Sequence, residues 1–306
     1  MNTESNAMMT GTAVPANRAS IRPFYWSVWR ELWENRAIYI VPLIVGAVQV
    51  FGFAISTIGL AERRRAVLLL DPTKQRAAIG TPYDIVAVMM IFTVFIVGLF
   101  YCLDALYGER RDRSILFWKS LPVSDRTTVL SKLTIPLAIL PLIAFVTVVC
   151  VQLLMLAITG ANLITHGMSA ASTWRHFPVF QNWIVLCYGL IVIALWHAPI
   201  YGWALLISGW VRRATFLWAV LPLIAIQIFE KITFGTTHFS ALLNDRLFGF
   251  APAAFDFQGR QHPTIDSLVQ LTPGKYLSTV ELWIGLIVAV AFITASIRLR
   301  RYRGPI

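Results

Sequence analysis

The amino-acid sequence predicts an all-α integral membrane protein: six transmembrane helices preceded by an N-terminal amphipathic interfacial helix, with both termini in the cytosol. Three observations lead there. The 306-residue chain is 57% hydrophobic and only 13% charged, whereas soluble domains carry about 25% charged residues. Its apolar residues gather into six runs, each near the roughly 20 residues that a helix needs to cross the hydrocarbon layer. The basic residues behind the net charge of +11 cluster at the ends of those runs. Arg110, Arg111 and Arg113 form one group, Arg212 and Arg213 another, and Arg298, Arg300, Arg301 and Arg303 a third. That placement suits anionic headgroups and argues against nucleic acid as a partner.

Residues 1–21 are polar and small, lack an apolar signal core, and read as a disordered cytosolic tail. Residues 22–303 read as a single six-helix membrane domain. Ahead of the first run, Tyr25, Trp29, Leu32, Trp33 and Arg36 fall on one helical stripe. Such a stripe fits an amphipathic helix in the membrane interface, or an aromatic belt at the foot of the first span.

The expected spans are 37–60, 84–106, 133–159, 183–210, 214–229 and 277–297. The third contains Pro136 and Pro141, and the fourth contains His197 and Pro199. Six spans put both ends on one side. Most of the 26 Lys and Arg then lie in the tail, in the loops after spans two and four, and at the C-terminus, so those segments are assigned to the cytosol. Arg63, Arg64 and Arg65 stand on the opposite side in this arrangement. The outer loops are 61–83, 160–182 and a longer extracytosolic one at 233–276. Cys102, Cys150 and Cys187 each sit inside an apolar run without a CxxC spacing, which suggests neither a disulfide frame nor a metal site.

The densest charged stretch is 107–132, which reads YGERRDRSILFWKSLPVSDRTTVLSK. Ser114 is a reasonable N-cap for a short helix carrying Ile115, Leu116, Phe117, Trp118 and Leu121. Pro122 ends that helix, and Ser124 or Asp125 can cap the next, which runs into span three. A surface helix showing Phe and Trp among charges fits a protein docking element, since aromatic residues anchor interfaces. It also fits an interfacial loop whose rings dip into lipid.

This stretch resembles the signature of ABC-2-type transporter permeases, the membrane subunits of many bacterial ABC exporters. That signature typically reads Glu-Arg, a Gly-Thr pair, Pro-Val-Ser, then a small residue before Lys. The chain shows Glu109-Arg110, Pro122-Val123-Ser124 and Ser131-Lys132 in the same order, with Arg113-Ser114 where Gly-Thr is typical. The resemblance implies a multi-pass permease in a bacterial inner (plasma) membrane. It also implies a second permease subunit, as homodimer or heterodimer, and a separate ABC ATPase that binds ATP and Mg²⁺. Residues 115–121 become the coupling helix, with Ile115, Phe117, Trp118 and Leu121 facing the ATPase and Glu109 and Arg113 as polar contacts. The helix at 23–35 becomes the connecting helix beside it.

The chain itself carries no recognisable catalytic or cofactor motif. Leu271-Thr-Pro-Gly-Lys275 lacks the upstream glycine of a phosphate-binding loop, and Tyr276 stands where a Ser or Thr would hold Mg²⁺. ATP hydrolysis is therefore expected in another subunit. Ser208-Gly209 lacks the flanking pattern of a serine nucleophile elbow. Gln49, Asp104, Gln152 and His197 are the polar groups within the spans. They are candidates for a translocation path, against the simpler reading of helix–helix hydrogen bonds. Pairing with a nearby arginine is the simple reading for Asp104. A membrane-embedded enzyme using Asp104 or His197, or a scaffold that transports nothing, are the competing classes. An enzyme needs convergent groups at one depth, and a scaffold needs no coupling motif.

Overall fold

A computed structural model describes residues 16–120, 123–169, 178–257 and 268–304. Among the described residues the regular elements are helical, with one isolated antiparallel bridge between Phe255 and Leu271. Six helical stretches are long and apolar enough to cross a membrane: Ala37–Ser56, Lys74–Arg111, Asp125–Thr165, Val179–Trp196, Thr215–Phe234 and Val280–Tyr302. Five contain most of one of the runs read from the sequence, and Val179–Trp196 contains the first half of the fourth.

The chain opens with α1 (Ala16–Glu34) and α2 (Ala37–Ser56). The tail expected at 1–21 lies outside the described residues up to 15, and from Ala16 the chain is helical. The loop expected at 61–83 is mostly helix: α3 (Leu60–Val67) is followed by α4 (Pro72–Ala105). Pro72 starts α4 in the first turn, where its missing N–H costs nothing. Next come α5 (Tyr107–Arg111), α6 (Ser114–Ser120) and α7 (Asp125–Thr134), then a π-helical turn at Ile135–Ile139 and α8 (Leu140–Thr165). Pro136 lies inside that turn and Pro141 in the first turn of α8, and neither supplies a backbone N–H to an α-helical ladder. One wider turn absorbs both.

Span four is divided. It forms α9 (Val179–Trp196) and α10 (Ala198–Trp210), joined at His197 immediately before Pro199 in the first turn of α10. Then follow α11 (Thr215–Phe234), α12 (His238–Phe248), α13 (Phe250–Ala254), α14 (Pro273–Ser278) and α15 (Val280–Tyr302). In α11 only Ala219 is buried, while Phe216, Leu217, Leu221, Ile224, Ile228 and Ile232 are exposed. Lipid tails satisfy such a surface and water does not.

One core runs through α2, α4, the π-turn, α8 and α10, and includes Ile38, Met90, Leu140, Val148, Tyr201 and Leu205. Glycines let helices of this bundle approach closely. A Cβ at Gly46 of α2 would lie 2.9 Å from the Thr147 side chain of α8, and one at Gly202 of α10 would lie 3.3 Å from Phe292 of α15.

The described parts of segment 233–276, expected as an extracytosolic loop, fold back on the bundle. Its smaller core joins Val192, Trp196, Ala254, Phe255, Tyr276 and Leu282. The Tyr276 hydroxyl donates to the Val192 carbonyl at 3.0 Å, Trp196 Nε1 donates to the Asp245 carbonyl at 3.2 Å, and the Arg246 guanidinium lies 4.9 Å from the Trp196 ring.

Candidate functional site: a buried ion network beneath segment 107–132

Helix α1 has two faces. Tyr25, Trp26, Trp29 and Trp33 are exposed on one, whereas Ser27 and Glu31 are buried on the other. Glu31 is 0% exposed. Lys132 of α7, 2% exposed, brings Nζ to 2.9 and 3.1 Å from the two Glu31 carboxylate oxygens. Arg30 Nη2 lies 2.5 Å from Glu31 Oε1, and the Tyr101 hydroxyl of α4 donates to Oε2 at 2.8 Å. The carboxylate is therefore saturated by neighbours from three helices.

Glu109 of α5 forms the second node. Its Oε1 lies 3.1 Å from Lys132 Nζ and 3.2 Å from Arg30 Nη2, and its Oε2 lies 3.3 Å from Arg300 Nη2 of α15. Arg300 also pairs with Asp125, the first residue of α7. Three carboxylates thus alternate with three cations across α1, α5, α7 and α15. Burying a charge is tolerable only when it is paired and hydrogen-bonded, and this lattice meets that condition by drawing four chain segments together.

Neighbouring contacts fix the frame. The Ser208 hydroxyl of α10 accepts from the backbone N–H groups of Leu106 and Tyr107 at 2.9 and 2.8 Å, where α4 hands over to α5. Arg110 Nη1 donates to the carbonyls of Gly209 and Val211 at 2.8 and 3.2 Å. Lys119 reaches the carbonyls of Arg301 and Arg303 at 3.3 Å each. Ser124 caps α7, its hydroxyl accepting from Thr127 N–H at 3.1 Å. Beside the network, Arg110, Arg212, Arg213 and Arg303 line a concavity of about 930 Å³ together with Trp210 and Trp218.

Several residues singled out in 107–132 occupy positions unlike those expected. Glu109 is turned inward and fully engaged with cations. Ile115 is buried at the foot of α6. Ser114 does not cap α6; it is its first residue, and its hydroxyl donates to the Glu109 carbonyl at 3.4 Å. Trp118 is half-buried with the Arg30 guanidinium 4.0 Å from its ring centroid. Leu116 and Phe117, each 59% exposed, form the outward apolar pair. Arg113 is exposed and takes φ +57°, a conformation costing an L side chain roughly 1–2 kcal/mol. Leu121 lies outside the described residues.

The intramembrane polar residues do not share a partner. Gln49 Nε2 reaches the Val86 carbonyl at 3.4 Å, and Gln152 Nε2 donates to the Tyr83 carbonyl at 3.1 Å while its oxygen accepts from Trp183 at 2.9 Å. His197 has Nδ1 2.9 Å from the Ile193 carbonyl and Nε2 3.2 Å from the Leu247 carbonyl. Apart from the local His197–Ile193 contact, these bonds tie helices to one another. Asp104 is exposed, 3.9 Å from Arg111.

Burial alone would push the Glu31 carboxyl up. The Lys132 ammonium and Arg30 guanidinium outweigh it and hold the group below the usual carboxylate range. With a depressed folded value, its stabilisation is complete above the unfolded pKa of about 4.3 and is lost as pH falls through the folded value. In neutral detergent, the gap in thermal stability between wild type and Glu31→Gln should stay constant from about pH 8 to about pH 6 and shrink below about pH 4. A gap that persists unchanged into strong acid would contradict this.

No family model, curated protein or solved structure matches the chain.

Proposed function

We propose that the chain is the membrane-spanning permease subunit of an ATP-binding-cassette transporter of the ABC-2 type. It works as an exporter in a bacterial inner membrane, driven by a separate ATPase subunit that holds ATP and Mg²⁺. The observation that carries this reading is the construction around α6. A short helix presents Leu116 and Phe117 outward, while Glu109 on one side and Asp125 and Lys132 on the other are locked into α1 and α15. A partner seated on that apolar pair would push on a rigid block instead of a loose loop. Force at the surface would then reach α4, α8 and α15 together.

A second observation supports the motif resemblance. The typical Gly of the signature falls on Arg113, where the backbone is left-handed, a conformation glycine adopts without strain. In this reading both termini and segment 107–132 are cytosolic, and α1 lies in the interface with its exposed Trp residues at headgroup level. Reporters fused after Gly304 and inserted at Gly235 should then report opposite sides of the membrane. The same side for both would overturn the orientation.

The test of function is reconstitution. The chain is expressed with a stand-alone ABC ATPase from the same genome, and the pair is purified and placed in vesicles. Paired permeases with paired ATPases, and ATP hydrolysis that depends on the permease, are the expected results. Saturable ATP binding by the isolated chain, or failure of any ATPase to associate, would count against it.

A further inference from the structure

The ion network draws together α1, α5, α7 and α15 beside Tyr101, near the C-terminal end of α4, and α7 leads on into α8. Toward the opposite ends of α4 and α8 lies a second basic site built quite differently. Arg64 of α3 is 6% exposed. Its Nη1 is buried without a hydrogen-bond partner, and among the described residues no carboxylate pairs with it. Burial pushes its pKa down from the usual arginine value, opposed only by Tyr83. Its neighbour Arg63 behaves differently. Arg63 is exposed, and its Nη2 donates to the Ser56 and Ile58 carbonyls at the C-terminal end of α2, a common use of a basic side chain. Arg64 has no such employment.

Arg64 lines a cavity of about 220 Å³ between α2, α3, α4 and α8. Two kinds of wall meet there. Tyr83 and Thr159 supply hydroxyls, 3.3 Å apart, and Phe53, Leu60, Val67 and Ile79 supply apolar surface. Arg63 and Ala78, both exposed, also line the cavity. A buried guanidinium with an unused donor and no carboxylate beside it is costly. An anion entering the cavity would relieve that cost, and the apolar wall selects one that carries hydrocarbon.

We infer that this cleft binds the anionic group of an amphiphile, with a phosphate or carboxylate seated on Arg64 and its apolar part against Phe53, Leu60 and Val67. The site goes beyond the transporter reading and stands without it, because binding is measured on the chain alone.

Dodecyl phosphate is titrated into the full chain held in phosphatidylcholine nanodiscs. Saturable binding is expected, weakened roughly tenfold or more by Arg64→Gln, as for loss of a hydrogen bond to a charged group. Arg64→Lys should restore part of it. Ala78→Trp obstructs the cavity from an exposed lining position, keeps the core intact, and should block entry even if Arg64→Gln folds poorly. Dodecyltrimethylammonium should not compete. Inorganic phosphate should bind far more weakly; equal affinity would overturn the amphiphile and leave a free-anion site. Phosphatidylglycerol added to the nanodiscs distinguishes the sources. Displacement of dodecyl phosphate identifies a bilayer lipid headgroup, and retention identifies a soluble amphiphile; either supports the site. The inference fails if the wild type shows no saturable binding, or if Arg64→Gln and Ala78→Trp both bind as wild type does.

Discussion

Replacing Lys132 with methionine should destabilise the folded chain by about 3–5 kcal/mol, the range for removing one partner of a buried ion pair. Lys132 Nζ sits within 3.1 Å of both Glu31 and Glu109. Methionine fills much of the same volume, so the loss is electrostatic and not a cavity. It leaves two buried carboxylates sharing Arg30, with no ammonium between them. Their mutual repulsion then goes uncompensated at that point. Pairing the change with Glu31→Met should recover part of the loss, because the most exposed consequence of the single change is the uncompensated charge. Thermal or denaturant unfolding in detergent of the single and double variants measures the coupling. Additive effects, or a Lys132→Met chain as stable as wild type, would show that the network does not hold these helices together.

The second large effect concerns α6. If the chain is the proposed permease, Leu116→Ala with Phe117→Ala should weaken its association with the ATPase by about thirtyfold or more, since a docked aromatic contributes about 2 kcal/mol or more to an interface. Folding should be unaffected, because both side chains are exposed. Trp118→Ala should behave differently from what its place in the motif suggests. Its ring packs against Arg30, so its removal should loosen the network as well as the surface. Pull-down of the ATPase at matched membrane levels separates docking from lipid anchoring. Unchanged capture by the double variant would remove α6 as the coupling element and favour the lipid-anchor role. Glu109→Gln belongs with Lys132→Met and not with this pair. Its side chain faces Lys132, Arg30 and Arg300, so it should alter stability first.

The six spans were legible because membrane insertion is a local, additive property. About 20 consecutive apolar residues suffice, whatever lies elsewhere in the chain. The cap at Ser124 was legible for a similar reason: it depends on Ser124 and Thr127 alone. The division of span four was less so. His197 and Pro199 marked the place, yet a proline can sit inside a membrane helix or break it. Here the His197 ring meets the Leu247 carbonyl, a partner fifty residues away that no window of sequence reveals.

The sequence by itself determined that this chain is a multi-span helical protein with a charged, aromatic-bearing segment between its second and third spans. Only the tertiary structure decided what the charges do. Glu31 and Lys132 are 101 residues apart, and Glu109 and Arg300 are 191 apart. Glu31 was visible only as an acid on a helix noted for its tryptophans, and Arg300 only as one of a basic group at the C-terminus. Tertiary structure also chose the faces of α6. Seven residues make barely two turns, too few for apolar spacing to tell Ile115, which points inward, from Leu116 and Phe117, which point out. Hydropathy sums along the chain, whereas ion pairing depends on distances across the bundle, and those exist only once the helices have packed.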